Sequence, residues 1–312
     1  MFPPEATEIA IIGSGTIGLS FASLHLLTHP LCTVSIFDTR PDLSSYVHKY
    51  LPGYLGRTAD ADNIKYLDRL VIATTLKEAV ESADIVQEQG PEALEFKLSI
   101  WPQIELYAPK TALFWSSTSG IPASKQTARM RDPSRLLVVH PFNPPHIMPV
   151  LELVPSPTTS QTVVDQTMSY WRALGRSPVL LRKECTGFVA NRLAFALFRE
   201  ACSLVAQGVV SVEDLDELVT TSMGPRWAVA GPFKAYHAGG GEGGLTSFME
   251  KIGGTVQGCW EQAEEDVVAQ GIVVGGKWQA KVCKQADEAY GVVDTAERDE
   301  KTKRVLRAIG RG

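Results

Sequence analysis

The chain has 312 residues, a length that suggests two domains and is ample for a buried core. Its 44% hydrophobic and 21% charged residues are ordinary for a soluble globular protein. The net charge of −5 provides no basic surface for nucleic acid and gives no reason to expect a membrane partner.

The first apolar run, Glu8-Ile-Ala-Ile-Ile, breaks into Gly13-Ser-Gly15-Thr16-Ile17-Gly18, and helical periodicity follows over 17–27. A second apolar run over 33–37 ends in Asp38. Glycine makes up 26 of the 312 residues, so Gly-x-Gly-x-x-Gly alone says little. Between a strand and a helix, with an acid after the next strand, it marks a dinucleotide site. Gly13 permits the tight turn, Gly15 lets the backbone approach a pyrophosphate, and Gly18 lets the helix pack on the sheet. Asp38 is placed to accept from both ribose hydroxyls and to repel the extra phosphate of NADP, which favours NAD. Arg40, two residues on, argues the other way. The expected cofactor contacts here are Gly13, Gly15, Thr16, Ile17, Gly18 and Asp38. The competing reading is an ordinary glycine turn before a core helix.

Further strands are expected over 69–73, 84–87, 111–115, 135–140, 149–154 and 178–182, with helices over 92–106 and 160–174. The polar, Tyr- and Asp-rich stretch 40–66 reads as a short helix and a loop. This alternation predicts an α/β domain, a Rossmann-type, mostly parallel sheet, over residues 1–183. From 184 to 312 helical periodicity dominates and predicts an all-helical domain. Its first helix, 187–207, is apolar nearly all round and ends at Gly208, so it belongs inside that domain or at a dimer interface. Ser211 with Asp214 three residues later opens the next helix. Helices are then expected near 245–252, 255–270, 276–290 and 295–309.

The five cysteines, Cys32, Cys185, Cys202, Cys259 and Cys283, are scattered without metal-ligand spacing, so no metal is expected and a reducing compartment is. The first strand begins by Glu8, leaving no room for a signal peptide, and the apolar stretch from Ile9 to Leu27 is too interrupted to span a membrane. The expected localisation is cytoplasmic.

His140 ends the run Leu136-Leu-Val-Val, at the strand end that faces the ligand crevice in an open α/β sheet. A histidine can exchange a proton near neutral pH, its unperturbed pKa being roughly 6.5. Glu152, twelve residues on, lies in the apolar strand Val150-Leu-Glu-Leu-Val, where a carboxylate needs a partner. Pairing with His140 would satisfy it and fix the imidazole tautomer. The bland alternative is a core histidine bonded to backbone and a Glu that faces water. Ser119, in Ser116-Ser-Thr-Ser119-Gly120, is placed either to bond a substrate oxygen or only to shape a turn. Asn191 is a polar amide in the long apolar helix, either a substrate contact or a satisfied core amide. Arg226, beside Trp227, is a candidate fork for a substrate carboxylate or an ordinary helix-end arginine.

Together, His140-Pro-Phe-Asn-Pro-Pro, Val150-Leu-Glu152-Leu-Val-Pro, the serine block and Thr186-Gly-Phe-Val-Ala-Asn191-Arg192 resemble the 3-hydroxyacyl-CoA dehydrogenase superfamily, from about residue 8 to about residue 255. The doubled proline, Pro225-Arg226-Trp227-Ala228 and Gly231-Pro-Phe233 are similar to its small-acid branch, that of L-gulonate 3-dehydrogenase, λ-crystallin and L-carnitine dehydrogenase; the glycine-rich stretch 238–244 is similar to the carnitine side. The resemblance implies an NAD-dependent dehydrogenase acting on the C3 hydroxyl of a small L-3-hydroxy acid, or reducing the 3-oxo form. It implies His140 as acid–base residue, Glu152 as its orienting partner, and Ser119 and Asn191 on the substrate oxygen. It further implies Glu88 as an acid near the nicotinamide end and a homodimer through the helical domain. The stretch between Asp38 and the strand at 69–73 is shorter than the hairpin that acyl-CoA members use around CoA, which weakens a CoA-ester reading. That reading, and a non-catalytic NAD-binding structural role, remain the alternatives.

Overall fold

A computed structural model of the protein describes residues 6–56 and 64–311. It divides into two compact units, Met1–Val189 and Ala190–Gly312. The sequence expectation sets the boundary at 183/184. Residues 184–189 instead stay with the first unit, where the Val189 N–H is bonded to Glu152.

The first unit is built on one sheet of order β3-β2-β1-β4-β5-β6-β7-β8. Its strands are β1 (Thr7–Ile12), β2 (Cys32–Phe37), β3 (Leu70–Ile72), β4 (Ile85–Glu88), β5 (Leu113–Ser116), β6 (Leu136–Pro141), β7 (Val150–Pro155) and β8 (Ser177–Leu180). β1 to β6 are mutually parallel; β7 runs antiparallel to β6, and β8 is parallel to β7. Chain order reverses between β1 and β4, and an open sheet of this kind takes its ligand at the carboxyl ends of those two strands.

Strand side chains alternate between faces. Ile9 and Ile11 of β1 join one buried cluster with Leu19 and Phe21 of α1 (Thr16–Thr28) and Trp171 of α7 (Gln161–Ala173). Ala10 and Ile12 join a second on the other face, with Trp101 and Ile104 of α5 (Leu94–Tyr107). The short helices α3 (Ile64–Leu67), α4 (Leu76–Val80) and α6 (Ala123–Gln126) complete the unit with α2 (Leu43–Tyr54).

Several elements depart from the sequence expectation. The helix within 40–66 is α2, twelve residues long, anchored by the single stripe Leu43, Val47 and Leu51; so narrow a stripe gives weak periodicity. The loop expected after it falls largely on 57–63, outside the described residues. α4, capped by Thr75, was not expected, because five residues are too few to show a period.

The second unit contains, in order, α8 (Ala190–Gln207), α9 (Val212–Leu218), α10 (Gly224–Val229), α11 (Pro232–Gly239), α12 (Gly244–Ala269), α13 (Lys277–Tyr290) and α14 (Thr295–Ala308). α8 starts at Ala190 rather than 187, since Gly187 and Phe188 take left-handed conformations. It is not enclosed by its own unit: Leu193, Phe195 and Phe198 are 63%, 63% and 62% exposed. The helices expected at 245–252 and 255–270 are one, because the Gly253-Gly254 pair lowers helix propensity without breaking the hydrogen-bond run. Ser211 caps α9 by accepting from the Asp214 N–H, as expected.

Among the described residues no helix is long and apolar enough to cross a membrane. All five cysteines are free thiols.

His25 of α1 is fully buried, and its burial, opposed by a bond with Gln87, pushes its pKa down to about 4. Between pH 4 and 6.5 the unfolded chain therefore binds a proton that the folded chain does not. His25 thus contributes a neutral-pH stability that is complete above about 6.5 and lost as pH falls toward 4, roughly 3 kcal/mol in all. Denaturant titrations at pH 7 and 4.5 should show a smaller acid destabilisation in His25→Gln than in the wild type; equal losses would reject the assignment.

Candidate active site

The glycine turn has the shape a pyrophosphate needs. Gly13 has φ +108°, and a Cβ there would lie 3.0 Å from the Gln89 carbonyl carbon and oxygen. A Cβ on Gly18 would come within 1.9 Å of the Gly13 oxygen, so any side chain would force α1 off the strand. Gly15 differs: nothing lies within 4 Å of where its Cβ would be. That open space is the approach to the first turn of α1, whose N–H groups have no acceptor within the helix. Ile17 packs its side chain on the core, so it can offer a phosphate only its backbone. Thr16 begins the helix.

A groove of about 620 Å³ runs here, lined by Gly13, Gly15, Asp38, Thr39, Gln89 and Pro91 among others. Asp38 accepts from the N–H (2.7 Å) and hydroxyl (2.8 Å) of Ser14 and from the Arg40 N–H (3.1 Å). Burial works against its charge, but these bonds hold its carboxyl below the usual range. The Asp38 carboxylate, expected at the ribose, thus stays ionised. The Arg40 side chain forks onto Asp42 (2.7 and 3.3 Å) and stacks on Tyr46, with the guanidinium 3.4 Å from the ring centroid. The residues present fit a dinucleotide.

Glu88, expected near the nicotinamide end, is fully buried beneath this groove. Lys97 donates to both its oxygens (2.7 and 2.8 Å), the Gly90 N–H to one (2.6 Å), and Ser116 to the other (3.3 Å). Burial pushes its carboxyl up, against the pull of Lys97. Its visible work is to hold the Gln89-Gly90 turn that walls the groove.

Glu92, which the sequence reading passed over, does the same for the serine block. One carboxylate oxygen accepts from the Thr118 hydroxyl (2.6 Å) and from the N–H groups of Ser119 (3.0 Å) and Gly120 (3.2 Å). Ser119 is thereby held, exposed, just past the end of β5. The only sequence cue was an acid opening a helix, which many helices carry.

His140 and Glu152 are directly opposite in the β6–β7 pairing. Residues opposed in an antiparallel pair share a face with Cβ atoms about 5 Å apart, so the backbone register alone brings them together. His140 Nδ1 lies 2.8 Å from Glu152 Oε2. The other carboxylate oxygen accepts from the Val189 N–H at 2.9 Å, delivered by the left-handed turn at Gly187 and Phe188. Phe142 and Phe188 flank the imidazole, each with ring centroids 5.3 Å away. Both side chains are almost fully buried. A carboxylate on Nδ1 places that proton there and leaves Nε2 as the lone-pair nitrogen, the arrangement of a general base. Ser116 pairs with Val138, two residues before His140, so the serine block and the histidine leave adjacent strands at one edge. Asn191 and Arg226 lie in the second unit: Asn191 in the first turn of α8, partly buried, and Arg226 exposed on α10.

The sequence and fold of this chain recur among known proteins. The NAD binding domain of 3-hydroxyacyl-CoA dehydrogenase matches residues 8–185, and the C-terminal domain of 3-hydroxyacyl-CoA dehydrogenase matches 187–276. The chain is 34% identical to an L-carnitine dehydrogenase of Streptomyces griseus over 319 residues, covering 99% of this chain and 92% of the relative. It is 38% identical to a 3-hydroxyacyl-CoA dehydrogenase of Gibberella moniliformis over 82% of this chain and 80% of that one. Among solved structures, 5-formyl-3-hydroxy-2-methylpyridine 4-carboxylic acid 5-dehydrogenase, an NAD+-dependent dismutase, superposes with a TM-score of 0.75 at 27% identity, covering 98% of this chain and 99% of that one. The chain belongs to the 3-hydroxyacyl-CoA dehydrogenase family. It is an NAD-dependent oxidoreductase acting on a CH–OH group.

Gly15→Val should fill the open space in front of α1 and abolish measurable NADH binding while leaving the circular dichroism spectrum intact. Glu92→Ala should release the Ser119 loop and lower kcat/KM by about ten- to a hundredfold, the cost of a misplaced positioning group. Unchanged kinetics would show that the loop holds itself.

Proposed function

We propose that the chain oxidises the C3 hydroxyl of a small L-3-hydroxy acid of the carnitine or gulonate type, or reduces the corresponding 3-oxo acid. The observation that carries this reading is the buried His140–Glu152 pair at the carboxyl edge of a dinucleotide-binding sheet. The name shared by the full-length Streptomyces relative supports the free-acid substrate class. NAD, when bound, supplies the hydride acceptor. His140 Nε2 takes the hydroxyl proton as the C3–H bond breaks, and Glu152 stabilises the imidazolium through Nδ1. The Val189 N–H on the far oxygen of Glu152 keeps that carboxylate oriented. Ser119 and Asn191 hold the substrate oxygen, and Arg226 takes the carboxylate in a bidentate fork. Glu88 acts at the nicotinamide end by holding the Gln89-Gly90 wall in place.

A short 3-hydroxyacyl thioester is the second reading, supported by the name of the Gibberella relative. The formed His–Glu pair speaks against a purely structural protein. The apolar face of α8, with Leu193, Phe195 and Phe198 exposed, supports a homodimer through the helical unit. Five free thiols support residence in the cytoplasm.

Turnover of L-carnitine, L-gulonate, 3-hydroxybutyrate and 3-hydroxybutyryl-CoA, followed by NADH absorbance, tests the substrate class. Activity on the thioester alone would reverse the preference. His140→Ala and Glu152→Gln should each lose roughly a hundred- to ten-thousandfold in kcat with NADH affinity kept; near-normal turnover in both would reject the roles. Light scattering should give twice the chain mass, and Phe195→Glu should shift it toward one chain. A monomeric wild type would refute the dimer.

A further inference from the structure

Gln87 precedes Glu88 on β4, so the pleat sends its side chain to the opposite face of the sheet. There it is fully buried and joins a polar chain that the hydride chemistry does not use. The Tyr170 hydroxyl lies 2.7 Å from His25 Nδ1, His25 Nε2 lies 3.0 Å from Gln87 Oε1, and Gln87 Nε2 lies 3.4 Å from the Ser117 hydroxyl. Tyr170, His25 and Gln87 are all fully or almost fully buried, inside the Trp115, Trp171 and Phe21 cluster.

The direction of this chain follows from its chemistry. An amide oxygen only accepts, so His25 carries its proton on Nε2. Nδ1 then accepts, and Tyr170 donates to it. The Gln87 NH2 donates to Ser117, so a lone pair of that hydroxyl is taken and its hydrogen must point elsewhere. Among the described residues, no acceptor takes it. Ser117 is the first residue beyond β5, partly exposed between buried Ser116 and Thr118, and its N–H bonds the Glu88 carbonyl (2.9 Å). It therefore stands at the ligand edge of the sheet.

We propose that Tyr170, His25 and Gln87 are positioning residues that present the Ser117 hydroxyl as a hydrogen-bond donor to a carbonyl oxygen of the ligand seated at the carboxyl ends of β4 and β5. That oxygen belongs either to the nicotinamide carboxamide or to the oxidised substrate. The inference rests on the NAD-dependent reading of the site. Burial keeps His25 neutral, so the chain keeps its direction across the pH range in which the enzyme would work.

The test has two readouts. Nitrogen-15 NMR of the histidine-labelled, ligand-free protein should show His25 as the Nε2–H tautomer from pH 8 to 5.5; an Nδ1–H tautomer reverses the chain and overturns the proposal. NADH dissociation constants by fluorescence, and KM for the acid turned over from the panel above, are then compared for Ser117→Ala, Gln87→Leu and the double variant. Ser117→Ala should weaken one of the two about tenfold, the weight of one hydrogen bond. An NADH effect identifies the carboxamide and a KM effect the substrate; no effect on either overturns the proposal. Gln87→Leu should show the same loss, and that loss should vanish in the Ser117→Ala background. Persistence there would mean Gln87 only supports the core. Should Gln87→Leu fail to fold, Tyr170→Phe removes the first donor with the ring kept and must shift the same constant. NADH binding by the unaltered protein checks the dehydrogenase reading before any variant is compared.

Discussion

Removing a carboxylate from water costs several kcal/mol unless hydrogen bonds replace the lost hydration. Glu152 is 3% exposed, and both its oxygens are satisfied, one by His140 and one by the Val189 N–H. That pairing is available because β7 returns antiparallel to β6 with His140 and Glu152 in register. A slip of one residue would turn one of the two side chains to the opposite face. Sheet register, the orientation of the imidazole and the turn that delivers Val189 are thus one arrangement, and the chemistry of the site depends on it.

The same constraint recurs at Glu88. Glu88 satisfies its burial with Lys97, Gly90 and Ser116, and in doing so shapes the Gln89-Gly90 wall. Glu92 gathers Thr118, Ser119 and Gly120 onto one oxygen. Carboxylates, buried at Glu88 and Glu152 and exposed at Glu92, act here as organisers of backbone N–H groups. Their net contribution to stability is modest, since desolvation offsets most of the attraction. Their effect is geometric: each sets where a loop at the strand ends begins.

Much of this was legible in the chain. The glycine turn, Asp38 and the alternation of apolar runs follow local rules of period and turn chemistry, and the mostly parallel sheet they imply is the one observed. His140 and Glu152 were legible for a different reason, since an ionisable residue in a β-rich apolar run demands a partner. The misses share a cause. Lys97 and Gln87 look like ordinary polar residues on a helix and a strand, and His25 sits in an apolar helix without a periodic cue; only the packing of α1, β4, α5 and α7 shows that they are buried and bonded. The start of α8 was misplaced because Phe188 takes a left-handed backbone that no side-chain pattern encodes.

Local pattern alone set the dinucleotide turn, the sheet and its helices, and a histidine and a glutamate that each need a buried partner. Each depends on neighbours close in the chain or on a requirement internal to one strand. Only the tertiary structure decided which carboxylate holds which loop, which face of β4 carries the Tyr170–His25–Gln87 chain, and that the pleat separates it from Glu88. Those assignments join residues as much as 145 positions apart, and such contacts are settled by packing and burial rather than by local pattern.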